Sequence, residues 1–170
     1  RKAGAISHEG VGAGVHIHIG ANGHTPQTLR NLANIMASHE QLIADALKID
    51  QGRISRFCRT VIQRFIEQLK KKKPTTMAQL ADIWYESNGS SYGRNQHYNE
   101  SRYHMTNYHA VFTKGTIEFR LFNFDKPANG KKNDLHAGQL KSWIQLCLAL
   151  SEMAKEVRTA SPKPQQTENP

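Results

Sequence analysis

Two short stretches, far apart along the chain, carry side chains able to handle metal and phosphate. They are His16 and His18 in GVGAGVHIHIG (10–20), and Glu118 and Arg120 in GTIEFRLFN (115–123). Imidazole nitrogen and carboxylate oxygen ligate divalent metals, and a planar guanidinium grips phosphate oxygens through paired hydrogen bonds. Both pairs are spaced by two, the period at which side chains of an extended strand return to the same face. The two imidazoles then stand side by side, roughly 6–7 Å apart, with Val15, Ile17 and Ile19 on the opposite face. In the second stretch Thr116, Glu118, Arg120 and Phe122 face away from Ile117, Phe119 and Leu121. In one sheet, two imidazoles, a carboxylate and a guanidinium would converge on the open face. Taken singly, each strand also fits a blander reading, a solvated polar face for the histidines and an ion pair for Glu118 and Arg120. Only joint placement on one face separates the two.

Helices must bury the apolar side of these strands. Thr25-Pro26 reads as an N-cap followed by the first helical residue, with Leu29, Leu32, Ile35 and Met36 at helical spacing. Ser38 and Gln41 either form a capping box that opens a second helix through Leu42, Ile43, Ala46 and Leu47, or continue one bent helix. A third helix is predicted from Arg53, burying Phe57, Val61, Phe65 and Leu69 and ending in Lys70 to Lys73 before Pro74. Arg53, Arg56 and Arg59 drift around one side of it and face either solvent or an anion. A fourth, Thr75 to Glu86, turns Met77, Leu80, Ile83 and Trp84 inward, and Asn88 to Asn99 is a loop, either a lid or a surface excursion. Arg102 to Phe112 reads as extended, with Thr113-Lys114-Gly115 folding it back as a hairpin onto the Glu118 strand. Arg102 thereby joins the candidate phosphate contacts. Asn133 or Asp134 caps a last helix, Leu135 to Val157, across the back of the sheet, and Ala3 to Ile6 is a further short strand.

Several residues read as bystanders. His8, His24, His39, His97, His104, His109 and His136 have no ligand spacing and are expected in loops or on the surface. Tyr92, Tyr98, Tyr103 and Tyr108, near Arg94 and Arg102, either pack or stack on bases. Glycines at 10, 12, 14 and 20 suit close approach by a ligand or another strand. Cys58 and Cys147 lack CxxC spacing and are expected to be buried free thiols.

The bulk numbers set the frame. A chain of 170 residues with 8% aromatics suits one domain with a modest core, here 1–160, followed by a disordered tail from 161 to 170. A formal charge of +9 is compatible with nucleotides, nucleic acid or acidic peptides. No uninterrupted apolar run reaches the length of a membrane span, and the expected location is cytoplasmic. With no initiator Met, the chain is expected to be a piece of a longer protein.

HIHIG, TPQTLRNLANI, RYHMTNYHAVF, GTIEFRLFN and KSWIQLCLALSEMA, in this order from about Arg1 to Lys155, resemble the amidoligase family. That family belongs to the glutamine synthetase and glutamate-cysteine ligase superfamily. The resemblance implies an α+β fold, a curved antiparallel sheet with helices packed on one face and the N-terminal part missing. It implies ATP with Mg2+ or Mn2+ as cofactors, and small-molecule or peptide carboxylate and amine substrates joined through an acyl phosphate. His16 and Glu118 would bind metal, His18 would contact substrate or nucleotide, Arg120 would hold the transferring phosphoryl group, and Arg102 would be a further phosphate contact. Phosphoryl transfer depends on neutralising charge on the equatorial oxygens, which these groups suit. Histidine serves a metal only while neutral, so activity is expected to fall below about pH 6.5. The family's opening ExE strand has no counterpart here, and Glu9 is a poor substitute. Either that strand precedes Arg1 or catalysis has been lost, and the chain alone is expected to hold an incomplete metal set. The rival readings are a non-catalytic basic nucleic-acid-binding module using Arg53 to Lys73 and the tyrosine-rich loop, and a degenerate ligase-like scaffold that binds a partner protein.

Overall fold

The computed structural model describes residues 7, 13–124 and 135–158. Those residues form strands β1 (Val15–Gly20), β2 (Thr106–Asn107) and β3 (Thr116–Phe122), and helices α1 (Pro26–Ala46), α2 (Gln51–Phe57), α3 (Gln63–Lys72), α4 (Met77–Ser87), α5 (His109–Lys114) and α6 (Ala137–Glu156). This is an α+β arrangement built on a small open antiparallel sheet, in the order β1-β3-β2. The two alternating stretches are therefore hydrogen-bonded neighbours. Glu118 sits at the centre of the register, opposite His18 on one side and Asn107 on the other. The expected strand at 3–6, the polar connection at 125–134 and the tail from 161 lie outside the described residues.

Alternation places most of the sheet correctly, with Ile17, Ile117, Phe119 and Leu121 buried. Phe122 departs from it. Val15 pairs with Phe122 and Ile17 with Phe119, so two steps of β1 oppose three of β3. Such a bulge resets the parity of the strand beyond it. Phe122 joins the core, stacking on Trp143 of α6 at 5.0 Å between centroids and 19° between planes.

Thr25 caps α1 with a reciprocal capping box, its hydroxyl accepting from the Thr28 amide and Thr28 reaching back to the Thr25 amide. The helix runs unbroken to Ala46, and Ser38 caps nothing: its hydroxyl donates to the Asn34 carbonyl. Helix α6 packs beside α1 and on β1. His24 and Asn31 clasp the two helices, His24 Nε2 lying 2.9 Å from Ser151 Oγ and Asn31 Nδ2 donating to the carbonyls of Ala154 and Val157. The α6 cap is His136, whose Nδ1 accepts from the Gln139 amide, rather than Asn133 or Asp134.

The predicted third helix is two. Between α2 and α3 the chain straightens because Arg59 bridges the 103–105 segment, its amide donating to Tyr103 and its carbonyl accepting from Met105. Those bonds satisfy backbone groups that a continuous helix would have kept for itself. The arginines go different ways. Arg53 is buried and donates to the Arg120 carbonyl at 2.7 Å, Arg56 reaches back to the Gly52 carbonyl, and Arg59 reaches the carbonyls of Tyr103 and Glu100. Gly14 does lack a side chain for close approach, but to Arg53: a Cβ there would lie 1.9 Å from Arg53 Nη2.

The 102–112 segment is mostly not extended. It contains a 3-10 turn at Glu100–Arg102, the two-residue β2, and then α5, which ends at Gly115 with φ +67°. A tight hairpin gives way to a short helix because glycine accepts the left-handed conformation that stops it. Trp84 anchors the core beneath, with Phe65, Tyr108 and His104 at 5.0, 5.2 and 5.3 Å between centroids. Three histidines expected outside are buried, namely His24, His104 and His109, whereas Met77, expected inside, is exposed. Both cysteines are buried free thiols.

Candidate functional site

Glu118 is the hub of the site. The residue is 4% exposed, yet both carboxylate oxygens are occupied by donors. Oε1 accepts from Arg120 Nη1 at 2.9 Å and from His16 Nδ1 at 3.0 Å, with His18 Nε2 at 3.6 Å. Oε2 accepts from Asn107 Nδ2 at 2.6 Å. The convergence anticipated from the two alternating strands is present, produced by the antiparallel register that sets His18 and Asn107 across from Glu118.

Burial by itself would raise the Glu118 pKa. The His16 hydrogen bond, the Arg120 charge and the Asn107 amide outweigh it and bring the carboxyl down to about 2. Burial lowers the pKa of His18, with Glu118 opposing and Lys114, His16 and Arg120 adding to the decrease. His18 Nδ1 also lies 2.8 Å from Thr116 Oγ1. For His16 the 3.0 Å contact assigns the Nδ1 proton to Glu118, so the 3.4 Å approach of Arg120 Nη1 to the same nitrogen is a packing contact. The lone pair of neutral His16 is then on Nε2.

These groups wall a cleft of about 260 Å³, closed on its other sides by His97, Arg102, His109, Ala110, Thr113 and Lys114. Arg120 is held at the base by more than Glu118. Its amide donates to Met105, its Nε to the Phe57 carbonyl at 3.4 Å, and its guanidinium lies 5.4 Å from the Tyr103 ring centroid. Arg102 reaches the cleft as anticipated, but it is sandwiched between Tyr98 and Tyr103 at 4.5 and 4.7 Å, with Nη2 donating to the Tyr103 hydroxyl. Along its edge Nη1 also donates to the His97 carbonyl at 3.4 Å, so the guanidinium is held by its own surroundings.

The 88–99 loop is tied by one residue. Asn99 Nδ2 donates to the carbonyls of Ser90, Tyr92 and Gly93 at 3.2–3.3 Å, and its Oδ1 accepts from the Ser101 amide. That knot sets the position of His97 on the cleft wall, and His109 is fixed between the Tyr85 hydroxyl and the Gln96 carbonyl. Tyr108, grouped with the loop tyrosines, is instead core, its hydroxyl donating to the Leu29 carbonyl. Tyr92 and Tyr98 are exposed.

Sequence reasoning missed Asn107, His97, His109 and Lys114 as cleft residues. A tight turn at Thr113-Lys114-Gly115 pairs Phe112 with Thr116 and slides Asn107 out of line with Glu118. The signal that restores it is the Gly115 helix stop behind a short amphipathic run, HAVFTK.

The donor set does not fit a divalent metal as it stands. Among the described residues no group of three or more His, Cys, Asp or Glu side chains is arranged to hold one. His16 and Glu118 do share a direction, but the Arg120 guanidinium lies against the same carboxylate oxygen. A cation placed there meets a fixed positive charge.

A family model described as "putative amidoligase enzyme" matches residues 1–151. The chain belongs to the amidoligase family. Neither the curated proteins nor the solved structures gave a match. The cleft of this amidoligase gathers guanidinium and imidazole groups around one ion-paired carboxylate. Among the described residues no helix is long and apolar enough to cross a membrane.

Proposed function

We propose that this amidoligase is an ATP-dependent carboxylate-amine ligase, related to the glutamine synthetase and glutamate-cysteine ligase superfamily and working through an acyl phosphate. The observation that carries the reading is the meeting of His16, His18, Glu118 and Arg120 on one cleft wall in a member of this family. In the first step a substrate carboxylate oxygen bonds to the terminal phosphorus of ATP and ADP leaves. In the second an amine nitrogen bonds to the acyl carbon, loses a proton, and phosphate departs with the bonding electrons.

Arg120 suits the role of holding the transferring phosphoryl group, because Glu118, Tyr103 and the Phe57 carbonyl fix its guanidinium in advance. Arg102 and Lys114 supply further positive charge along the wall. His18, anchored on Thr116, contacts substrate or nucleotide as a neutral donor or acceptor. In relatives a divalent metal neutralises polyphosphate charge; the described residues do not fit one, and no step is assigned to it.

The test is an acyl-phosphate trap. With ATP, hydroxylamine and a panel of carboxylates, the wild-type chain is expected to form hydroxamate, and Arg120→Ala to lower the rate more than about 100-fold. Hydroxamate formation that ignores ATP, or that survives Arg120→Ala, sinks the reading. Of the basic run behind the nucleic-acid alternative, Arg53 is buried and Arg59 bonds to backbone carbonyls, whereas Arg64 and Lys70 to Lys73 are exposed.

A further inference from the structure

The resemblance assigns Glu118 to metal, whereas its surroundings describe something else. Its Oε1 is shared between a guanidinium and an imidazole, and its Oε2 is taken at 2.6 Å by Asn107, a residue only 2% exposed and directly opposite it in the β2–β3 register. The amide orientation is forced, because turning Asn107 over would set its Oδ1 against a carboxylate oxygen. Asn107 Oδ1 is itself buried without a partner among the described residues, which costs free energy that the Nδ2 contact must offset. A sheet residue kept under that penalty has a positional task.

We propose that Asn107 and Glu118 are positioning residues. They lock the His16 ring with Nδ1 toward Glu118 and Nε2 free, and they hold the Arg120 guanidinium at the cleft base, so that the cleft takes a polyphosphate anion directly and not through a cation bound to Glu118. This rests on the ligase reading only in the choice of polyphosphate as ligand. The geometry divides the labour: Glu118 balances the Arg120 charge internally, which lets a buried guanidinium persist without ligand, while Arg102 and Lys114 have no carboxylate partner among the described cleft residues and meet the incoming anion.

Wild-type protein decides it. Inorganic tripolyphosphate is titrated calorimetrically in EDTA and again in Mg2+, and histidine ring nitrogens are followed by two-bond proton–nitrogen correlation, with His16 assigned by its absence in His16→Gln. The expected result is affinity within threefold between the two buffers, and a His16 pattern of protonated Nδ1 at neutral pH. Asn107→Leu is expected to weaken tripolyphosphate at least tenfold and return His16 to the Nε2-protonated form usual for free imidazole. Binding that appears only with Mg2+ overturns the proposal, as does a wild-type His16 protonated on Nε2 alone, and so does absence of binding in both buffers. Tripolyphosphate binding in EDTA without ATP-dependent hydroxamate leaves this inference standing and removes the ligase reading.

Discussion

Two carboxyl groups in this protein are almost equally withdrawn from water and behave in opposite ways. Glu118 on β3 is 4% exposed and Glu40 on α1 is 3% exposed. Glu118 receives the His16, Arg120 and Asn107 donors and its pKa falls to about 2. Glu40 receives one, the Val61 amide at 2.7 Å on Oε2, while its Oε1 has none among the described residues; burial then dominates and carries its pKa up to about 7. Glu40 is the more deeply packed of the two, so heavier desolvation and fewer donors act together to raise its pKa, whereas at Glu118 the donors win. A carboxylate kept ionised in a cleft and a carboxyl on α1 pushed toward its protonated form beneath the α2–α3 link are different tools made from one residue type.

The strongest way to break the contrast is to make Glu118 resemble Glu40. Arg120→Ala removes the cationic partner, and a stability loss of about 3–5 kcal/mol at pH 7 is expected in urea denaturation, the usual cost of orphaning one member of a buried pair. Next is Glu40→Gln. A folded-state pKa raised to about 7 means that the folded chain favours the proton. The stability this contributes is complete below the ordinary carboxyl pKa and is lost as pH rises through 7. Wild-type melting temperature is therefore expected to drop from about pH 4.5 and to level off above about pH 8, and Glu40→Gln to be flat across that range, ahead by about 3 kcal/mol at pH 9. Parallel profiles for the two proteins would remove Glu40 from the account.

Asn107→Leu strips one donor from Glu118 and is expected to cost about 2 kcal/mol at pH 7. Glu118 has a depressed folded pKa, so its contribution is present above the ordinary carboxyl pKa and lost as pH falls toward 2. The deficit of Asn107→Leu should accordingly shrink in acid, which urea titrations at pH 7 and pH 3 would show. The smallest effect belongs to Gly14→Ala. Its new Cβ meets the Arg53 guanidinium, which must leave the Arg120 carbonyl, at a cost of about 1–2 kcal/mol, read from the denaturation midpoint.

Much of the site was legible in the sequence because a period of two survives wherever a strand is flat and half-buried. That pattern located His16, His18, Glu118 and Arg120 on one side of β1 and β3, and the Thr25-Pro26 signal located the start of α1. Failures came where long-range hydrogen bonds override local preference. Arg59 abandons a helical pattern to bridge Tyr103 and Met105, and the HAVFTK run curls into α5 once Gly115 ends it. Asn107 was hidden for that reason, since its place opposite Glu118 depends on the length of α5. Phe122 was misassigned because a bulge cannot be read from alternation alone. The buried histidines escaped because their partners, Ser151 for His24, Thr60 and Asn88 for His104, and Tyr85 for His109, are distant in sequence.

Asn99 draws three carbonyls of its own loop onto one amide. A segment braced from inside does not rely on its outward tips for shape, and Tyr92 and Gln96 are free to be exchanged without rebuilding the bracket beneath them. His97, the exposed member of this loop that lines the cleft, can then be varied on a bracket that holds its own shape, which makes it the natural starting point for a library seeking altered substrates.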